Sequence, residues 1–303
     1  MKTLHIISAV AIICVSAFQM TGKEDPKKKA KVQPASNTAV QPVTGANAAI
    51  ATSNSVADIP KIFPYRIHQS LMPNGLNVVT VPYQSPGIAA FYIVVRVGSR
   101  NEVESGKTGF AHFFEHMMFR GTESYPKDKY SEVLKSTGAS ANANTSLDRT
   151  LYHMTGDASK LETMFMLEAD RFKNLSYSVQ DFKTEAGAVK GEYTKNSANP
   201  LTKLNEMTQN TAFEKHTYKH TTMGFFEDIV DMPNQYDYSR EFFSRYYRPE
   251  YSTIIVVGDV TPEKINKLAV KYFVKIKSAQ TDVIIKKIQV TTINFMKPNF
   301  ATV

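Results

Sequence analysis

Residues 109–119 read Gly109-Phe110-Ala111-His112-Phe113-Phe114-Glu115-His116-Met117-Met118-Phe119. Phe113, Phe114, Met117, Met118 and Phe119 have the character of core residues, and the spacing predicts a helix capped by Thr108 and running to Phe119. Residues four apart lie on one helical face. His112 and His116 can therefore reach a single metal ion. Glu115 sits one turn from His112 on the same side, a position suited to polarising a metal-bound water without acting as a ligand. A helix with merely structural histidines is the competing reading. It leaves three polar groups within one turn in need of buried partners, and a metal supplies them.

A catalytic zinc site needs a third protein ligand and an open position. Val179 to Asn196 reads as a second amphipathic helix, on which Asp181, Glu185 and Glu192 form an acidic stripe. Lys183, Lys190 and Lys195 lie off that stripe. The spacing alone leaves two readings open, a solvated acidic face and a face turned toward a cation.

The flanking chain predicts an α+β fold. Asn74-Gly75 between Tyr65–Leu71 and Leu76–Val81 signals a hairpin. Ile88 to Val97 is apolar on both parities and reads as a central strand. A helix is expected over Lys127–Thr137, stopping at Gly138, then one or two strands over Ala141–Thr155 and a helix over Ser159–Asn174. A long polar stretch follows. Beyond it, Tyr238–Tyr247 reads as helix, Thr253–Val257 as a buried strand, and Pro262–Phe273 as a closing helix with proline in its first turn. His216 and His220, although four apart, lack an acid between them in the motif order and are read as loop or surface residues. His68 and His153 fall in strands and are read as structural.

The first 58 residues are of another kind. A single lysine, Lys2, precedes the apolar run Ile6–Val15, and Val15-Ser16-Ala17 offers a small-residue cleavage site, so residues 1–17 read as a secretory leader. A lipid anchor at Cys14 is the alternative, with Ile13 a poor match to the usual preceding residue. Residues 18–58 read as a flexible linker, too poor in apolar side chains to offset the entropy of ordering. The net charge of +8 owes part of its excess to Lys27-Lys28-Lys29 and Lys31 in this linker, so no nucleic-acid partner is expected. Membrane contact is expected only through the leader or the Cys14 anchor. With one cysteine in the chain, an internal disulfide framework and a cysteine-rich zinc ribbon are excluded. An exported protein, periplasmic or extracellular, is the expectation.

The chain from residue 59 to about Phe273 resembles one catalytic half of the insulinase/pitrilysin/mitochondrial-processing-peptidase family of inverzincin zinc peptidases. The resemblance rests on Gly98-Ser99-Arg100-Asn101-Glu102, on Gly109 through Thr122, and on Gly138-Ala139-Ser140-Ala141-Asn142-Ala143-Asn144-Thr145-Ser146 with Asp148, Thr150 and Tyr152. Tyr247-Arg248-Pro249-Glu250 and Val256-Val257-Gly258-Asp259-Val260 extend it. It implies a mostly antiparallel sheet with flanking helices, as in a processing-peptidase-like metallohydrolase domain. It also implies one Zn2+ per chain held by His112, His116 and Glu192, the last 76 residues beyond His116. Glu115 becomes the general base and Glu185 a supporting acidic residue. Asn142 and Ala143 fall on an edge strand to which a peptide substrate adds; read without the resemblance, Asn142 is a turn-favouring residue after Gly138. The implied activity is that of an exported zinc endopeptidase acting on peptides or unfolded segments. Family members pair such a half with a homologous second half. The expected division is therefore a catalytic domain at 59–275 and a truncated linker at 276–303, the second half being absent or supplied by a partner chain. The alternative is a non-catalytic structural or assembly subunit, or an inactive fragment, on the same fold.

Overall fold

The computed structural model describes residues 64–278. The expected leader, the linker and the last 25 residues lie outside them. The strands are β1 (His68–Leu71), β2 (Asn77–Pro82), β3 (Ile88–Val95), β4 (Ser140–Thr145), β5 (Thr150–Asp157) and β6 (Ser252–Gly258). They form one sheet in the order β1-β2-β6-β3-β5-β4. Only β2 and β6 run parallel; the other neighbours are antiparallel, as the family resemblance implies. The helices are α1 (Phe110–Met117), α2 (Lys127–Ser136), α3 (Leu161–Asn174), α4 (Val179–Ser197), α5 (Pro200–Ala212), α6 (Phe226–Asp231), α7 (Tyr236–Tyr246) and α8 (Pro262–Tyr272).

The hairpin forms, with a longer turn than two residues. Met72 N donates to Leu76 O at 2.8 Å and Gly75 N to Met72 O at 2.9 Å. Gly75 adopts φ 84°, and a Cβ there would meet Glu250 Cβ at 2.9 Å, so both conformation and space call for glycine. β3 is central, between β6 and β5. Its two faces differ, however. Ala89, Phe91, Ile93 and Val95 are buried, whereas Ala90, Tyr92 and Val94 are only half-buried. Phe91 meets Phe165 of α3 edge-on, with centroids 4.7 Å apart, so the buried face is the one covered by helices.

Within that core lies an ion pair. Arg171 Nη2 stands 2.6 Å from Glu168 Oε2, and both side chains are almost wholly buried. Tyr130 Oη donates to Glu168 Oε1 at 3.2 Å, and the guanidinium lies over the rings of Phe119 and Tyr152.

The polar stretch after α4 holds two helices that the sequence reading leaves out, α5 and α6. α5 buries no residue: its apolar stripe of Leu201, Leu204 and Met207 faces outward. His220 departs from the surface reading. It lies in a loop but is buried, with its Nδ1 3.0 Å from Thr221 O. His216 caps a short 3-10 turn by accepting from Tyr218 N.

Candidate active site

α1 begins at Phe110, with Gly109 as its cap in the left-handed region at φ 90°. Thr108 does not cap it, contrary to the sequence reading. The Thr108 hydroxyl donates to Asp228 Oδ2 at 2.6 Å and accepts from Phe225 N at 2.7 Å. The orphan N–H groups of the helix start go to Glu102 instead: Gly109 N donates to Oε2 at 2.8 Å and Ala111 N to Oε1 at 2.7 Å. Burial pushes the Glu102 carboxyl up to about 8, against the pull of these backbone donors. At the other end, Tyr152 Oη donates to Phe114 O at 3.1 Å and shares a 2.7 Å hydrogen bond with Tyr247 Oη. α1 is thus tied to β5 and to the residue after α7, and Phe110, Phe113 and Phe114 are fully buried.

That burial turns the polar face of α1 toward α4. His112 and His116 meet with ring centroids 4.8 Å apart. Glu192 Oε2 lies 3.2 Å from His116 Nε2 and 3.6 Å from His112 Nε2. One ligand-type atom from each of the three residues falls within 4.8 Å of the others, the convergence a metal ion requires. Glu115 stands outside this trio. Its Oε2 accepts from Thr145 Oγ1 at 2.6 Å.

The surroundings of these residues differ. Burial, helped by the neighbouring His116, holds the His112 imidazole below its usual range, which favours the neutral form with a free lone pair. Its Nδ1 is buried and has no hydrogen-bond partner among the described residues. His116 is raised by its hydrogen bond to Glu185, against the opposing effect of burial. Glu185 Oε1 accepts from His116 Nδ1 at 3.0 Å, and its Oε2 accepts from Arg120 Nε. Burial pushes the Glu185 carboxyl up, but these two donors outweigh it and hold it below the usual carboxylate range. Asp181, the third member of the acidic stripe, goes elsewhere: it closes a capping box with Ser178 at the start of α4.

Two imidazole nitrogens and one carboxylate oxygen, on two packed helices, make a donor set suited to zinc. The ring orientation of His116 is set by a carboxylate on its far nitrogen, the usual support of a metal-bound histidine. Beside the trio runs a cleft of about 270 Å³, lined by Glu115, His116, Asn142, Arg120, Lys127 and Glu185. β4 borders it as the last strand of the sheet. Ala143 is buried on the α1 side, whereas Asn142 is exposed, with its own Oδ1 accepting from Ala143 N at 2.9 Å. Lys127, Arg120 and Thr145 are the site residues that sequence reading missed; none belongs to a spacing pattern.

Residues 78–224 match the model of the insulinase family, peptidase family M16, and residues 235–299 match that of the peptidase M16 inactive domain. The second match begins inside the described fold: α7 and β6 belong to it, and β6 lies between β2 and β3. The zinc protease PqqE of Helicobacter pylori is 33% identical over 214 residues, which are 70% of this chain and 48% of that protein. The crystal structure of a protease from Helicobacter pylori superposes with a TM-score of 0.70 at 31% identity, over 73% of this chain and 53% of that one. The first half of the periplasmic protease PqqL from Escherichia coli shares the fold, with a TM-score of 0.62 at 23% identity over 70% of this chain and 46% of that one. The chain spans about half the length of the PqqE it matches.

Proposed function

The chain belongs to the insulinase family, peptidase family M16, and from that premise we propose that it is the catalytic half of a zinc-dependent endopeptidase. The observation that carries this reading is the convergence of His112, His116 and Glu192 beside a cleft in which Glu115 is close by but outside the ligand set. Zinc, when bound, supplies a Lewis acid for the scissile carbonyl and a water of lowered pKa. The chain's own residues do the rest. Glu115 takes the proton of the attacking water and returns it to the leaving amine. Glu185 and Arg120 keep the His116 ring in place. β4 offers its outer edge to an extended peptide, whose main chain pairs with it as an added strand, and Asn142 lies where that peptide passes. Binding through main-chain hydrogen bonds selects for extended or unfolded segments more than for a sequence.

Two further parts of the proposal rest on less of the chain. Residues 1–17 act as an export leader, with residues 18–58 as a linker; the periplasmic PqqL that shares the fold supports an exported setting. Residues 59–275 form the catalytic domain, and 276–303 lead toward a homologous second half, within this polypeptide or on another, that closes the opposite side of the cleft. Relatives about twice as long support that division.

The test is hydrolysis of an unstructured peptide by the zinc-loaded chain, alone and with a homologous second-half chain added. Cleavage that a chelator abolishes and zinc restores supports the proposal. Stoichiometric zinc without cleavage in either arrangement overturns it and leaves a non-catalytic subunit.

A further inference from the structure

Thr145 ends β4, and its side chain lies on the same strand face as Ala143, the face turned toward α1. Its Oγ1 donates to Glu115 Oε2 at 2.6 Å, which is the one side-chain hydrogen bond that Glu115 makes among the described residues. The backbone that carries this hydroxyl is fixed, since Thr145 is paired with Thr150 of β5. Its β-branched side chain is stiff at χ1. Glu115, by contrast, has three torsions between its helix and its carboxylate. A general base has to present one oxygen within about 2.6–3.2 Å of the proton it takes, and misplacement of that oxygen costs rate.

We propose that Thr145 is a positioning residue for that chemistry: its hydroxyl holds Oε2 of Glu115 and so leaves Oε1 aimed at the cleft. The inference rests on Glu115 being the base in the reading above. It adds a mechanical consequence. β4 is also the strand proposed to receive the substrate, so the base and the scissile bond are registered to the same element. A peptide that pairs along β4 is placed relative to Glu115 through a single residue of that strand.

Two substitutions test this. Thr145→Val removes the hydroxyl at nearly constant shape; Thr145→Ser keeps it. With a charge-assisted hydrogen bond lost, Thr145→Val is expected to lower kcat by about tenfold or more, with KM and bound zinc within about twofold of the parent. Thr145→Ser is expected to stay within about threefold of the parent, because the donor remains. In a Glu115→Gln background, Thr145→Val is expected to cost nothing further, whereas a merely structural role would add to the loss. A second readout is independent of turnover. Crystal structures of the parent and of Thr145→Val report the Glu115 side chain directly, and the variant is expected to show it rotated or spread over several rotamers. A Thr145→Val protein with the parent's kcat, or with the parent's single Glu115 rotamer, overturns the proposal. If no arrangement of the parent cleaves peptide, the protease reading has failed on its own account, and the crystallographic comparison alone decides whether Thr145 positions Glu115.

Discussion

The Nδ1–H of His116 donates to Glu185 Oε1 at 3.0 Å, while its Nε2 lies 3.2 Å from Glu192. Both carboxylates come from α4, seven residues or about two turns apart, hence on one face. One helix therefore serves both nitrogens of a single imidazole. Glu185 takes the proton-bearing side and fixes the tautomer, which leaves Nε2 facing Glu192 and the proposed metal position. Arg120, on the other oxygen of Glu185, keeps that carboxylate ionised and oriented.

A graded loss of zinc follows from this relationship. His116→Ala leaves two ligands and is expected to lose nearly all bound metal. Glu185→Ala keeps all three ligands but frees the ring, so its zinc affinity is expected to fall about 10–100-fold. Competition with a chelating dye, with circular dichroism to establish folding, measures both. Equal affinities in Glu185→Ala and the parent would remove Glu185 from the site.

Glu115 is expected to behave in the opposite way. It stands outside the trio, so Glu115→Gln should retain about one zinc per chain and lose turnover by roughly 100-fold or more. Elemental analysis beside an activity assay separates the two effects. A metal-free Glu115→Gln protein would make Glu115 a ligand and discard it as the base.

What the sequence makes visible here follows from periodicity. His112, Glu115 and His116 can be read because four residues on a helix are one step on one face, and the stripe on α4 can be read for the same reason. The stripe is nonetheless ambiguous. Asp181, Glu185 and Glu192 share a face, and spacing alone does not tell them apart; in the fold Asp181 is spent on its own helix cap, while Glu185 and Glu192 face the two nitrogens of His116. Thr145 and Glu102 stand inside blocks that carry the family resemblance, but no spacing gives either one a role. Thr145 sits in a polar strand where any residue between Asn142 and Ser146 looks alike. Glu102 reaches the start of α1 from a turn seven residues earlier, whereas Thr108, which looks like the cap, is drawn off by Asp228. α5 carries a short apolar stripe, Leu201, Leu204 and Met207, but the residues between them are polar and the whole stretch reads as a polar connection.

The lining of the cleft has its own consequence. Among the described residues the cleft is lined from α1, α2, α4, β4 and the turn after α1; a peptide that these elements alone hold along β4 is poorly oriented, and orientation is a large share of catalytic power. The zinc-loaded chain alone is expected to be folded and nearly inactive. Addition of a homologous second-half chain is expected to raise peptide cleavage by orders of magnitude and to yield a complex visible in light scattering. Robust, chelator-sensitive cleavage by a demonstrated monomer would show that one half suffices.

Glu102 ties the stability of the fold to pH. Its carboxyl is fully buried at the start of α1, where two backbone N–H groups favour the ionised form but burial prevails and moves it from 4.5 to about 8. His220, with Nδ1 3.7 Å away, brings no counter-charge, because burial pushes its own imidazole below the usual range. The sign is that of a raised acid. Below about pH 4.5 both folded and unfolded states hold the proton, and the group adds no pH dependence. Between about 4.5 and 8 the unfolded chain releases it and the fold does not, so stability falls as pH rises. At about 1.4 kcal/mol per pH unit the loss across this range is at most about 4–5 kcal/mol. Glu102→Gln is neutral throughout and cannot contribute this slope, although its amide satisfies only one of the two N–H groups and sets a constant cost. Urea unfolding of the parent and of Glu102→Gln at pH 5 and pH 8, at one fixed zinc concentration, isolates the effect, since the metal ligands are common to both. The stability advantage of the parent over the variant is expected to shrink by a few kcal/mol between the two pH values. An advantage that stays constant would mean that Glu102 is ionised in the fold, held as an anion by the N-terminus of the helix that carries His112 and His116.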